Sequence, residues 1–124
     1  MKCYRLSTTA LLFALILAVG CDRTVPPPTP LTVEELPSAF EKAFAKAKAE
    51  EKDMAASVVS CVKTQDYSRA FFTLQNLSAR PGLTKEQLKV TGRGTLTINS
   101  LLQEAQAKGD VRAAEATKYY RENK

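Results

Sequence analysis

The apolar residues of this chain recur at helical spacing from Leu31 onward, and this period restricts the fold more than any other feature. An amphipathic helix places apolar side chains three and four residues apart, whereas a half-buried strand alternates them with polar ones. No alternating stretch of useful length follows Leu31. The sequence therefore predicts an all-α domain, a small bundle of four to five helices arranged as helical hairpins.

Capping signals divide this pattern into separate helices. Thr32–Glu35 and Thr84–Gln87 each have the form of a capping box, in which the first and fourth residues exchange side-chain hydrogen bonds with each other's backbone. We expect Pro37 to interrupt the first helix and to occupy the first turn of a second segment. Asp53 is the predicted N-cap of the next helix, since a short acidic side chain suits that position. Arg80–Gly82 contains the proline and glycine that end a helix.

Each predicted helix has one apolar face, and the lysines at positions 42, 46 and 48 are expected to form a solvated face. The predicted faces, in chain order, are Phe40, Ala43, Phe44 and Ala47; Met54, Val58, Cys61 and Val62; Tyr67, Ala70, Phe71, Leu74 and Leu77; Leu88, Thr95, Ile98, Leu102 and Ala105, widened by Leu96 and Leu101; and Val111, Ala114 and Tyr120.

Two glycines lie inside the longest helical pattern, in Gly92–Arg93–Gly94. Each costs about 1 kcal/mol relative to alanine within a helix. A phosphate-binding loop would need a preceding strand and one of the known glycine-rich motifs, and the chain has neither here. The glycines therefore predict a kink or a close approach of two helices.

Two short stretches, Gln65–Ala70 and Gly109–Ala114, resemble each other and lie 44 residues apart. Each has an aspartate at a predicted helix start, so both are predicted to be helical-hairpin turns. Asp66 to Pro81 is similar to the second half of a tetratricopeptide repeat, although the offset of 44 exceeds that family's period of 34. Simple mutual burial of packed hairpins is the alternative interpretation.

The N-terminus has the layout of a secretory signal. Lys2 and Arg5 supply positive charge, and Ala10–Val19 is ten residues without a polar side chain. This stretch is too short to span a bilayer, which needs about 20 apolar residues. It ends in the small residues Ala18 and Val19, followed by Gly20, as a signal peptidase requires.

Leu17, Ala18, Val19 and Gly20 precede Cys21, and this segment resembles the lipobox of bacterial lipoproteins. The resemblance implies that Leu17–Gly20 are recognised by a signal peptidase, that residues 1–20 are removed, and that Cys21 carries a diacylglyceryl group. It also implies a lipid anchor on the periplasmic or other extracytoplasmic side of a membrane of the bacterial cell envelope. An ordinary secretory signal with a chance cysteine is the alternative.

Residues 21–31 are the predicted linker, and residues 32–124 the predicted helical domain. Val25–Pro30 contains four prolines. Because polyproline II rises about 3.1 Å per residue, Asp22–Leu31 could separate the domain from the membrane by about 30 Å. We interpret it as a spacer; a ligand for a proline-recognising domain is the alternative.

The composition excludes several classes of function. Removal of Lys2 and Arg5 from the 18 basic residues leaves 16 against 13 acidic residues, a formal charge of +3, so nucleic acid is not a predicted partner. Histidine, the commonest general base and metal ligand, is absent. Cys61 is the one thiol expected to stay free, and its apolar neighbours predict a core residue. We predict no catalytic residue, cofactor or metal ion.

Two functional hypotheses remain. The first is an interaction or scaffold module that docks an envelope protein, in which Tyr119–Tyr120–Arg121 could contact the partner or simply pack. The second is a structural lipoprotein joined to peptidoglycan through Lys124, because a C-terminal lysine resembles that of the major outer-membrane lipoprotein. Adjacent carboxylates at Glu34–Glu35 and Glu50–Glu51 do not face each other on a helix, so an enzyme is not predicted.

Overall fold

The computed structural model describes residues 25–123, which contain five helices. Consecutive helices pack against each other at α1–α2, α2–α3, α3–α4 and α4–α5. In addition, α1 packs against α4, and α5 reaches α3, so α4 contacts three other helices. This arrangement confirms the predicted all-α bundle of helical hairpins. The helices are α1 (Glu35–Phe44), α2 (Ala49–Lys63), α3 (Tyr67–Ser78), α4 (Lys85–Ala107) and α5 (Val111–Glu122).

The first helix starts at the predicted capping box. The Thr32 N–H donates to Glu35 Oε2 at 2.9 Å, and the Glu35 N–H donates to Thr32 Oγ1 at 3.1 Å. Pro37 lies in the first turn of this same helix, so the predicted interruption is wrong. The first N–H groups of a helix have no intrahelical acceptor, and a proline there removes no hydrogen bond.

The second helix starts earlier than predicted, at Ala49, and Asp53 is an exposed residue within it. The prediction of Asp53 as N-cap is therefore wrong. The Lys48 N–H donates to Glu51 Oε2 at 3.3 Å, and Glu51 is buried. A glutamate at the third helical position can satisfy the donor before the helix without a serine, threonine or aspartate at the cap.

The capping box at the start of α4 is also confirmed. The Thr84 N–H donates to Gln87 Oε1 at 2.8 Å, and the Gln87 N–H donates to Thr84 Oγ1 at 3.2 Å. The buried Gln87 side chain makes a further bond, from Nε2 to the carbonyl oxygen of Ala43 at 3.2 Å. One side chain thus caps α4 and joins its first turn to the end of α1.

The core and the residues packed against it contain the predicted faces of α1, α2 and α3. Leu36 and Ala55 are among the buried residues that the sequence did not predict. The buried hydrophobic residues are Leu31, Leu36, Phe40, Phe44, Ala55, Val58, Cys61, Val62, Ala70, Phe71, Leu74, Leu77, Val90, Ile98, Leu102, Ala113 and Ala116.

The predicted faces of α4 and α5 are partly wrong, because three of their large apolar residues face solvent. Leu88, Leu96 and Val111 are 49%, 39% and 68% exposed. The buried face of α4 instead includes Thr91, Gly94 and Thr97, and that of α5 is formed by alanines. Helices that pack closely bury small residues at their contact. A prediction from apolar side chains instead assigns leucine and valine to the buried face, and so it fails here.

The close approach predicted for the paired glycines occurs at Gly94. A Cβ atom on Gly94 would lie 2.9 Å from both Cε2 and Cζ of Phe40, which is fully buried. Gly92 has no such neighbour, and α4 is continuous through both positions. Gly94 is therefore the position that allows the Phe40 ring of α1 to pack directly on the backbone of α4.

The segment before α1 is attached to α4. Leu31, the last residue of the predicted linker, is buried, and its carbonyl oxygen accepts a hydrogen bond from Thr97 Oγ1 at 2.5 Å. The Thr29 carbonyl oxygen accepts from Arg93 Nε at 2.8 Å. Residues 25–30 are exposed and have no regular secondary structure. The chain thus enters the bundle alongside the middle of α4.

The two glycines of α4 provide a matched pair of substitutions. We expect Gly94→Ala to lower the free energy of unfolding by about 1–3 kcal/mol, since the new methyl overpacks against a buried ring. Gly92→Ala should raise it by about 0.5–1 kcal/mol, because it meets open space within a helix. Urea unfolding followed by circular dichroism measures both. Equal effects of the two substitutions would contradict the assigned contact.

Candidate functional surface

Cys21, the predicted lipidation site, lies outside the described residues. So do the predicted signal-peptidase recognition residues Leu17, Ala18, Val19 and Gly20, and the C-terminal Lys124. Within residues 25–123, no helix has the length and apolar character needed to cross a bilayer.

The two predicted hairpin turns have the same backbone geometry. Gln65 and Gly109 both have positive φ, at 59° and 91°. The N–H of the following aspartate bonds back to a helix carbonyl, from Asp66 to Cys61 at 2.9 Å and from Asp110 to Ala105 at 3.0 Å. A left-handed residue of this kind satisfies the free carbonyl groups at a helix end. The prediction of two hairpin turns is confirmed.

Each aspartate then caps the next helix. Asp66 Oδ1 accepts from the Arg69 N–H at 3.3 Å, and Asp110 Oδ1 accepts from the Ala113 N–H at 3.2 Å. The two turns border a common groove of about 410 Å³ that is open to solvent. It is lined by Gln65, Tyr67, Leu101, Glu104, Ala105, Lys108, Gly109 and Asp110.

Three of the four adjacent carboxylates have structural partners. Glu35 and Glu51 bond to backbone N–H groups at the starts of α1 and α2. Glu50 forms an ion pair with Arg80, which follows α3. Among residues 25–123, no group of three acidic or cysteine side chains could hold a metal ion.

Cys61 lies in the core, as its apolar neighbours predicted. It is free and 7% exposed, and it belongs to the same buried cluster as Val58 and Val62. A buried thiol of this kind behaves as a small hydrophobic residue.

Four aromatic rings form a cluster between α3 and α5. Phe71 meets Tyr120 edge-on with ring centroids 5.5 Å apart, and Phe72 meets Tyr119 in the same way at 5.4 Å. Phe71 also contacts Phe72 edge-on at 5.4 Å. The inner pair belongs to the core or packs against it, whereas Phe72 and Tyr119 are 39% and 54% exposed. We call Phe72 and Tyr119 the aromatic pair.

The aromatic pair was only partly foreseen from the sequence. The sequence offers Tyr119 and Tyr120 together as contact or packing residues, whereas in the structure Tyr119 is exposed and Tyr120 packs against the core. Phe72 carries no prediction from the sequence. Adjacent residues on a helix project about 100° apart, so Phe72 lies away from the centre of the face on which Phe71 is buried. The pair of neighbouring aromatic residues on one predicted helix is the signal that the sequence contains.

A comparison of the chain with known protein families, curated proteins and solved structures finds no match.

Burial of Cys61 predicts slow reaction with thiol reagents. In a chain with Cys3→Ser and Cys21→Ser, which leaves Cys61 as its one thiol, we expect labelling of Cys61 by Ellman's reagent to require local opening, and so to be at least about 100-fold slower than in urea. Stopped-flow absorbance under both conditions measures the ratio. A folded-state rate close to the rate in urea would show that the thiol is accessible.

Proposed function

We propose that this protein is a bacterial lipoprotein of the cell envelope whose helical domain serves as a protein-interaction or scaffold module. The observation that carries the proposal is Leu17–Cys21, which overlaps the end of the apolar stretch Ala10–Val19. In this proposal residues 1–20 are removed and Cys21 becomes the acylated N-terminus. Residues 22–30 then connect the anchor to the bundle.

A lipid anchor of this type holds a protein without a spanning helix. Each buried methylene contributes about 0.8 kcal/mol, so one acyl chain binds marginally and two or more bind stably. A diacylglyceryl cysteine has at least two chains. The domain would therefore remain on the membrane surface, outside the cytoplasm.

The anchor is tested by intact-mass analysis of protein extracted from membranes. We expect a chain that begins at Cys21 and carries a diacylglyceryl group. Cys21→Ser should abolish both the added mass and the cut before residue 21, since the thioether needs the thiol. Cys61→Ser is the matched control and should leave the lipid mass in place. An unmodified soluble chain from the unaltered sequence would contradict the proposal.

The aromatic pair supports an interaction role for the domain. Tyrosine is enriched among the residues that dominate binding energies at protein interfaces. Phe72 and Tyr119 present an exposed apolar surface where α3 and α5 meet, and Val111 on α5 is also exposed. The sequence of Asp66–Pro81 also resembles the second half of a tetratricopeptide repeat, a type of binding module. We therefore propose that a partner protein of the envelope docks on the aromatic pair.

Site-specific photocrosslinking tests this docking surface. A benzophenone amino acid in place of Tyr119 should give a discrete adduct with an envelope protein in intact cells. The same amino acid in place of Val33, another exposed apolar residue on α1's N-terminal side, is the control and should give none. Phe72→Ala should weaken the Tyr119 adduct severalfold without loss of helical circular dichroism. Identical adducts at both positions would argue against a specific surface.

A further inference from the structure

The side of α4 opposite the core is both apolar and basic. Leu88 and Leu96 are exposed, and the exposed Gly92 lies between them at intervals of four residues. Lys85 and Lys89 are exposed on the same side of the helix. Since residues four apart are neighbours on a helix, these five positions form one continuous strip.

The basic–apolar surface is defined here as Lys85, Leu88, Lys89 and Leu96. The end of α1 lies on the other side of α4, because Gln87, whose Nε2 bonds to the Ala43 carbonyl oxygen, is on the buried face.

Two exposed glutamates lie on α4, and neither belongs to this strip. Glu86 is in the first turn beside Lys85, and Glu104 is two turns beyond Leu96. The two lysines therefore make the strip itself positively charged, and it carries two exposed leucines.

The route of the chain indicates what lies near this surface. On α4, Arg93 donates a hydrogen bond to the Thr29 carbonyl oxygen, and Thr97 donates one to the Leu31 carbonyl oxygen. Cys21 is eight residues before Thr29. A chain spans at most about 3.6 Å per residue, so Cys21 lies within about 29 Å of Thr29. An anchor at Cys21 would thus hold α4 close to the bilayer at a high effective concentration.

We propose that the basic–apolar surface binds the anionic phospholipid surface of the membrane that carries the anchor. The inference rests on the proposed lipidation of Cys21. Lysines are attracted to anionic headgroups, and leucines gain by insertion at the headgroup boundary. A second copy of this chain is a poorer occupant, because pairing two such surfaces would bring lysines together. The domain would then lie against the membrane with α4 facing the lipid.

A single tryptophan tests this orientation, because the chain has none of its own. The lipidated protein with Leu96→Trp is reconstituted into vesicles of equimolar phosphatidylglycerol and phosphatidylcholine, and into vesicles of phosphatidylcholine alone. We expect the tryptophan emission to shift to shorter wavelength, and acrylamide quenching to fall severalfold, in the anionic vesicles only. Tyr119→Trp, on the other exposed surface, is the control and should show no shift.

Charge reversal separates this surface from the rest of the domain. Adding Lys85→Glu and Lys89→Glu to the Leu96→Trp protein should abolish the shift. Arg112→Glu with Lys118→Glu on α5 makes the same change in net charge and should retain it. The shift should also weaken as salt rises from 0.1 M to 1 M, since the screening length falls from about 10 Å to about 3 Å.

The outcomes distinguish this inference from the proposed anchor. Intact mass of each preparation records whether Cys21 is acylated. An acylated protein whose Leu96→Trp emission is the same in both vesicles would overturn the inference and leave the anchor standing. A shift in protein without acyl chains would support the surface and count against the anchor. Self-association in the absence of vesicles, abolished by Leu96→Glu, would assign the surface to a second copy and overturn the lipid assignment.

Discussion

The contact between the Phe40 ring and the backbone of Gly94 determines how the bundle is assembled. It allows α1 to pack closely on α4, which also contacts α3 and α5. Gln87 and Thr97 then form the polar bonds along the same helix, to the end of α1 and to the segment before it. Because this approach fixes the rotation of α4, it decides which residues are buried and which face outward. The exposure of Leu88 and Leu96 follows from it.

The parts of the fold that the sequence predicted are those determined by local chemistry. The capping boxes at Thr32 and Thr84 need only residues within one turn, and both form as expected. The hairpin turns at Asp66 and Asp110 likewise depend on a short side chain that accepts from a nearby N–H group. Apolar residues three and four positions apart likewise predict the buried faces of α1, α2 and α3.

Features that depend on distant residues were not predictable in this way. The exposure of Val111 and Leu88 results from contacts between helices, which favour alanine, threonine and glycine at closest approach. The residue type favours Asp53 as the N-cap of α2. In the structure the Glu51 carboxylate, inside the helix, accepts from the N–H of Lys48, the residue before the helix. The contact of the exposed Phe72 with Tyr119 depends on the position of α5. Cys21 lies outside the described residues, and its predicted lipidation is based on the sequence of Leu17–Cys21.

The attachment of Thr29 and Leu31 to α4 has a mechanical consequence. Tension on the chain from its N-terminal side would first load the Arg93 and Thr97 hydrogen bonds and the buried Leu31 side chain. The load would therefore pass to the longest helix, which contacts three others, before it reached the first turn of α1. A domain held in this way would resist being peeled open from its N-terminal side, since the first contacts to be loaded lie in the middle of α4.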